Sequence, residues 1–357
     1  MKSFLDGVGV IFSLEMRQRL RGIAWYVLLG VFFLILLVVT AVFAFVIFVA
    51  GDVSASDRAQ EAGPALSTII YLVLLLGTLV APAMSGNAIN GDRDAGTLAT
   101  TQVTLVTTWQ LVLGKFLAAW VTALGFLAIA SPFVVISAIA GKLAVATIVV
   151  SVLVLAVELG VVAAIGVGLS GLIPRPLFSV VVTYLVVAAL SLGTLIAFGL
   201  GGVAVQTTVT QYDWDNVHYK THTCSGLEHY TESEPRFDLD WGVLAANPYV
   251  VLADAVPTSY SHGYPDDLFG EIKLGIRMAQ ISPVTAQTPA QVCAEESSND
   301  DSYVAGGMTA RQLIDSTTPS WAIGLLIQLV LAAGALVGGW ARTRTPAGRL
   351  PRGNRVA

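Results

Sequence analysis

Six long apolar runs constrain this chain more than any other feature: Ala24 to Ala50, Leu66 to Met84, Phe116 to Ile139, Ala146 to Ile173, Leu177 to Val205, and Trp321 to Trp340. Each has about the 20 residues that an α-helix needs to cross a bilayer. Helices satisfy their own backbone hydrogen bonds, so in lipid such runs must be helical. Composition agrees. Hydrophobic residues make up 55% of the 357 positions and charged residues 12%, with a mean hydropathy of +0.74. Too few charges remain to cover a soluble surface. A soluble enzyme, a nucleic-acid-binding protein and a disordered chain are thereby excluded, and nucleic acid is not an expected partner. The first run is longer than the core of a secretory signal, about 7 to 15 residues, and begins after 23 polar-to-amphipathic residues. The expected fold is an all-α polytopic membrane protein with six transmembrane helices.

Six spans put both ends on one side, and basic residues decide which. Lys2, Arg17, Arg19, Arg21, Arg93, Lys115, Arg175, Arg342, Arg344, Arg349, Arg352 and Arg355 fall on the side of the termini, whereas the short loops opposite hold Arg58 and Lys142. Both termini are therefore expected in the cytoplasm. Residues 206–320, between the fifth and sixth runs, carry 16 acidic and 5 basic residues and lie outside on this topology. They are too long for a bare loop, which predicts a small folded exterior domain. Both cysteines, Cys224 and Cys293, fall there. The exterior is oxidising, so one disulfide is expected; closing a loop of about 70 residues would stabilise the domain by roughly 4 kcal/mol on the chain-entropy model.

Residues Lys2 to Arg21 read as an amphipathic helix. Phe4, Leu5, Val8, Phe12 and Met16 recur at helical spacing, with Asp6, Glu15, Arg17 and Arg21 on the polar side. Such a helix lies in the membrane interface with its arginines toward anionic lipid, and it also orients the first span. Between the second and third runs, Asp92, Arg93 and Asp94 are charged and resist burial in lipid. Gly96-Thr97 reads as a break and helix cap, followed by a short helix and a turn near Thr107-Thr108. This compact unit at the cytoplasmic surface is the right size to dock into a groove on a partner.

That stretch resembles the signature of ABC transporter permeases of the ABC-2 type: Ser-Gly-Glu-Arg-Glu-x-Gly-Thr-Leu, about six residues, Thr-Pro-Leu-Ser-x-Trp, then x-Ile-Val-Leu-Gly-Lys. Gly91, Arg93, Gly96, Thr97, Leu98, Thr104, Trp109, Val112, Leu113, Gly114 and Lys115 fall in register without a gap, and Asp92 and Asp94 stand where the family often has glutamates. Glu15 to Arg21 is similar to the family's elbow helix, and Ala246-Asn247-Pro248-Tyr249 resembles an Asn-Pro element late in such chains. Leu105 replaces the usual proline, and the exterior segment is longer than the short re-entrant helices typical there. The resemblance implies an elbow helix (1–23), spans one to five (24–205) with a coupling loop (85–115), an extracellular domain (206–320), span six (321–341) and a basic cytoplasmic tail (342–357).

The resemblance implies an exporter subunit in the plasma membrane. Asp92, Arg93, Asp94, Gly96, Thr97, Leu98 and Trp109 would contact an ATPase subunit, with Glu15, Arg17 and Arg21 of the elbow helix as a second contact. The chain has no G-x-x-x-x-G-K-[ST] loop to cradle phosphate, so no cofactor is expected on it. ATP and magnesium would belong to two partner ATPases, and a second permease, identical or paralogous, would complete the pathway. A different class of reading is a non-transporting scaffold or sensor whose exterior domain binds a protein. A secondary carrier is disfavoured, because the spans lack a chain of ionisable groups and no inverted repeat is visible.

Within the spans Glu158 is the exception. A lone carboxylate at mid-depth costs roughly 3 kcal/mol or more unless protonated or paired. It is either a polar group in a pathway or gate, or a protonated side chain bonded to a neighbouring helix. Gly160, Ala164 and Gly168 are spaced four apart, which suits close helix packing. His218 and His222 would share a face if helical and could then hold a transition metal, but His-x3-His is a common spacing, so no metal site is expected.

Overall fold

The computed structural model describes residues 2–50, 58–98, 106–212, 217–218, 223–224, 229–283, 303–305 and 308–344. The chain divides into two compact units, Met1–Ala189 with Leu326–Ala357, and Leu190–Leu325. Six helices are long and apolar enough to cross a membrane: Ile23–Val49, Ala62–Asp94, Thr108–Ala140, Val145–Leu172, Pro176–Ala204 and Ser320–Thr343. All six expected runs are thus helical. The first, fifth and sixth keep most of their apolar side chains on the outside, Ile23, Leu177 and Leu326 among them. In water that would be a fault; in lipid it costs nothing, because hydrocarbon tails are as apolar as leucine.

In the first unit, α1 (Lys2–Leu20) precedes α2 (Ile23–Phe45), which ends in a π turn (Val46–Ala50). Then come α3 (Arg58–Ser85), α4 (Asn90–Asp94), α5 (Thr108–Ala140), α6 (Val145–Leu172) and α7 (Pro176–Ala188). Helices α3, α5 and α6 pack on one another and form the centre, with α1 laid along α5. The start of α5 is set by a capping box: Thr107 Oγ1 accepts from the Gln110 N–H and Gln110 Oε1 accepts from the Thr107 N–H. Helix α2 docks on α5 through aromatic edges, with Trp25 and Phe32 each 5.2 Å from the Phe126 ring.

Small residues on α6 serve close packing. A Cβ on Gly168 would stand 2.3 Å from the Ala335 carbonyl carbon, and one on Gly171 would stand 2.7 Å from Gly339 Cα. These glycines let α6 meet the last helix, α13 (Ser320–Thr343), backbone to backbone.

The second unit starts inside the fifth span, at a π turn (Ala189–Gly193) that leads to α8 (Thr194–Ala204). A ribbon follows, β1 (Gln206–Tyr212) paired antiparallel with β4 (His229–Pro235), with the two-residue strands β2 (Val217–His218) and β3 (Thr223–Cys224) between them. Then come α9 (Trp241–Ala245), α10 (Pro248–Ala255), β5 (Tyr260–Ser261), β6 (Tyr264–Pro265), α11 (Leu268–Met278), β7 (Tyr303–Ala305), β8 (Met308–Thr309) and α12 (Ala310–Ser316). The described fold is mostly helical rather than all-α, because the polar segment between spans five and six forms four two-stranded sheets. Its Thr- and Tyr-rich stretches lack an apolar helical stripe and favour strands.

Part of that segment does not stand apart from the spans. Phe237 lies against Phe198, ring centroids 4.9 Å apart, and a Cβ on Gly201 would meet the Asp240 carboxylate. Asn247 Nδ2 donates to the Ser191 carbonyl at 2.7 Å and to Thr194 Oγ1 at 2.9 Å. Ser191 precedes the end of α8 at Ala204 by 13 residues, about 20 Å of helix at 1.5 Å per residue. Helices α9 and α10 therefore form a hairpin that folds back along span five, with Asn247-Pro248 at its tip. Composition explains it: Trp241 to Ala253 carries no charge, yet is too short to span a bilayer and so escapes a 20-residue criterion.

Several sequence expectations fall outside the described residues: Cys293, and with it the disulfide to Cys224; His222; Thr104 and Leu105; and the tail arginines Arg349, Arg352 and Arg355. Cys224 lies on β3 opposite Val217. His218 sits on a strand. Among the described residues no cluster of three or more metal-ligating side chains occurs.

Candidate functional site

The charged stretch Asp92-Arg93-Asp94 lies on α4, one short helix directly after the second span. Gly96 stops it, with φ +69°, a left-handed backbone that only glycine adopts freely. Thr97 Oγ1 donates to the Asp92 carbonyl at 3.2 Å, one of the acceptors left open at the helix end. The expected break at Gly96-Thr97 is present, and α4 precedes it.

Helix α4 is held from behind by three elements. Ser170 Oγ on α6 accepts from the N–H groups of Ile89 and Asn90, at 2.9 and 3.1 Å. Asn90 is fully buried; its amide donates to the carbonyl of Ile173 at the end of α6, and its oxygen accepts from Arg93 at 2.9 Å. Lys115, 1% exposed near the start of α5, closes the arrangement: its ammonium contacts Asp92 Oδ2 at 2.7 Å and also pairs with Glu15 Oε1 of α1. One buried cation thus ties α1, α4 and α5 together. Two carboxylates around one ammonium compensate the cost of taking it out of water.

Glu15 is therefore not on the polar side of α1, where amphipathic spacing puts it. It is 7% exposed and faces inward with Val8 and Ile11, while Arg17 and Arg21 are exposed. The partner that draws it in lies 100 residues away in sequence. The crossing of α1 on α5 is close. A Cβ on Gly114 would lie 2.7 Å from Ile11 Cβ, and one on Gly7 would lie 2.5 Å from Gln110 Nε2. Gln110 also donates to the Phe4 carbonyl at 3.1 Å.

The remaining expected residues separate into two groups. Leu98 is buried with Ile11, Ile89, Leu111 and Val112, and Trp109 stacks on Trp340 of α13 at 4.9 Å with an interplanar angle of 16°. These two are internal supports. Asp94, Gly96 and Thr97 are exposed and form the face that a partner could touch. Glu158 lies elsewhere, fully buried on α6, and the polar side chain that interacts with it is Gln328 of α13.

The sequence places Lys115 in the family signature, and Asn90 and Gln110 within the 85–115 loop, but assigns none of the three a role. Lys115 was visible as a lone charge opening an apolar run, but nothing local discloses that its partners are Glu15 and Asp92. What the site can do follows from its form: a small exposed turn is backed by a helix that cannot shift without disturbing α1, α5 and α6.

No curated protein matches the sequence. A family model described as ABC-2 family transporter protein matches residues 10–231, which hold the second half of α1, the first five spans, α4 and the buried triad. That match covers more than half of the chain and agrees with the six apolar helices, so the chain belongs to the ABC-2 transporter family as a multi-pass membrane transport component.

Proposed function

We propose that the chain is the permease subunit of an ATP-driven exporter, moving an amphipathic or lipid-like substrate outward while separate subunits hydrolyse ATP. One observation carries this reading. The turn Asp94 to Thr97 is exposed, and the helix behind it is pinned to α1 by Glu15, to α5 by Lys115 and to α6 by Ser170 and Asn90. A push on that turn reaches three bundle helices at once, as a coupling element requires. Arg17 and Arg21, exposed on α1, supply a second contact for the ATPase. Two ATPases and a second permease subunit, identical or paralogous, complete the assembly in the plasma membrane, with both termini in the cytoplasm and 206–320 largely outside. Residues Cys224 and Cys293 form its disulfide. The substrate class rests on the apolar spans, in which Glu158 is the ionisable residue at depth.

The test is a pull-down of the tagged chain from membranes in mild detergent, read by mass spectrometry and ATPase activity. Recovery of an ATPase subunit, reduced at least tenfold by Asp94→Arg, supports the reading. Asp94 is the substitution of choice because it is exposed and outside the triad. The acidic exterior segment favours a second reading, a scaffold whose outside domain binds a protein. Recovery of envelope proteins alone, without ATPase activity, would replace the exporter by that scaffold.

A further inference from the structure

Helix α10 carries one buried polar side chain at each end. Asn247 caps its N-terminus, accepting from the Tyr249 N–H at 2.9 Å, and is 1% exposed. Its amide nitrogen reaches the Ser191 carbonyl and the Thr194 hydroxyl, at the π turn of span five. A π turn widens the helix by one residue and misaligns the local hydrogen-bond ladder. Asn247 Nδ2 joins Thr194 Oγ1 as a donor to the Ser191 carbonyl there, a polar tie between α10 and span five.

At the other end Asp254 is 3% exposed. One of its oxygens accepts from Arg277 of α11 at 2.8 Å, and the other accepts from Ser320 Oγ and the Trp321 N–H, each at 2.9 Å. The Trp321 N–H belongs to the first turn of span six, where backbone donors lack intrahelical partners and a negative charge is favoured. Arg277 in turn donates to the Thr317 carbonyl at 2.7 Å, just before that span. A Cβ on Gly324 would fall 1.8 Å from the Ala245 carbonyl oxygen, so the α9 end of the hairpin presses on span six as well.

We propose that α10 is a strut that fixes span five at Ser191–Thr194 relative to span six at Ser320–Gly324, so that the outer parts of both spans open and close as one body. The geometry does not depend on the exporter reading; only the consequence for transport rests on it. Asn247, Asp254, Arg277 and Ser320 are buried and have no water to fall back on, so each bond of the strut resists separation more than a surface bond would. Ligands or proteins that grip the exterior segment would thereby act on both spans through α10.

The test uses the full chain in lipid nanodiscs, with Ile196 and Ile323 replaced by p-acetylphenylalanine and spin-labelled through the ketone. Both positions are exposed on the outer parts of their spans. Pulsed electron–electron distances should give one narrow distribution in the otherwise native chain. Asn247→Ala should broaden it at least twofold. Ser320→Ala, which removes one bond to Asp254, and Thr194→Val, which removes the Asn247 contact together with local bonds to the Leu190 and Ser191 carbonyls, should broaden it to intermediate widths. Unchanged mean and width in all three variants would overturn the strut, whatever the pull-down shows. Where the ATPase is recovered, adding ATP should leave this distance fixed; a shift with nucleotide would equally overturn the single-body inference.

Discussion

Replacing Lys115 by methionine isolates the contribution of the buried triad. The ammonium is 1% exposed and lies between Glu15, 7% exposed, and the half-buried Asp92. Methionine preserves most of the side-chain volume, so the cavity term is small. What remains is two carboxylates facing each other without the ammonium between them, Glu15 keeping only the longer contact to Arg19 at 4.0 Å. Breaking a buried pair by removing one partner costs about 3 to 5 kcal/mol. Asp92 retains partial access to water, which places Lys115→Met near 3 kcal/mol. Glu15→Gln leaves the ammonium with Asp92 alone and should cost about 2 kcal/mol on the same reasoning. The double variant removes one charge of each sign and should cost about 2 kcal/mol rather than the sum, near 5. The difference, about 3 kcal/mol, is the coupling that a double-mutant cycle reads. Equilibrium unfolding in mixed detergent micelles, or steric trapping in bilayers, measures all four corners. Costs that add to within about 0.5 kcal/mol would refute the triad as a coupled unit.

Three further outcomes follow from local geometry. Gly114→Val should cost about 1 to 3 kcal/mol through overpacking, because its side chain would collide with Ile11; protease sensitivity at α1 should rise while the spans stay protected. Burial pushes Asp267, which caps α11 through Gly270 at 2.8 Å, from 3.8 up to about 6. The folded form then holds a proton that the unfolded chain releases, so this contribution is fullest below pH 3.8 and is lost as pH rises through 6, by up to about 3 kcal/mol; Asp267→Asn, an equally good cap, should flatten that slope, and an unchanged slope in thermal melts would refute the assignment. Reduction should lower the melting temperature of the exterior segment, and non-reducing peptide mapping should recover Cys224 joined to Cys293; two free thiols would refute the pairing.

The six spans were legible because lipid demands one property over a fixed length, and the chain supplies it six times. The break at Gly96 was legible for a different reason: a glycine directly after charged residues is a local signal that local structure obeys. Glu15 and Lys115 were not. Glu15 reads as a polar-face charge of the elbow helix and Lys115 as the close of the family signature, and their mutual attraction depends on two helices crossing where Gly7 and Gly114 permit it. The α9–α10 hairpin was hidden by length, since an uncharged stretch of 13 residues reads equally well as the core of a small soluble domain. Asn247 stands out in the sequence only through its Asn-Pro dipeptide; the π turn it serves has no signature in the sequence of span five.

The separation of 100 residues between Glu15 and Lys115 sets an order of events during synthesis. At about 5 to 20 residues per second, α1 leaves the ribosome roughly 5 to 20 seconds before the side chain that neutralises its inward-facing carboxylate exists. For that interval the first helix can rest only on the bilayer surface, its glutamate in water, while spans one and two insert. Arrival of the third span then seats α1 and α4 together. Quality control of this subunit has a natural checkpoint there, because a nascent chain stalled before Lys115 exposes the face of α1, with Val8, Ile11 and Glu15, that the finished protein buries.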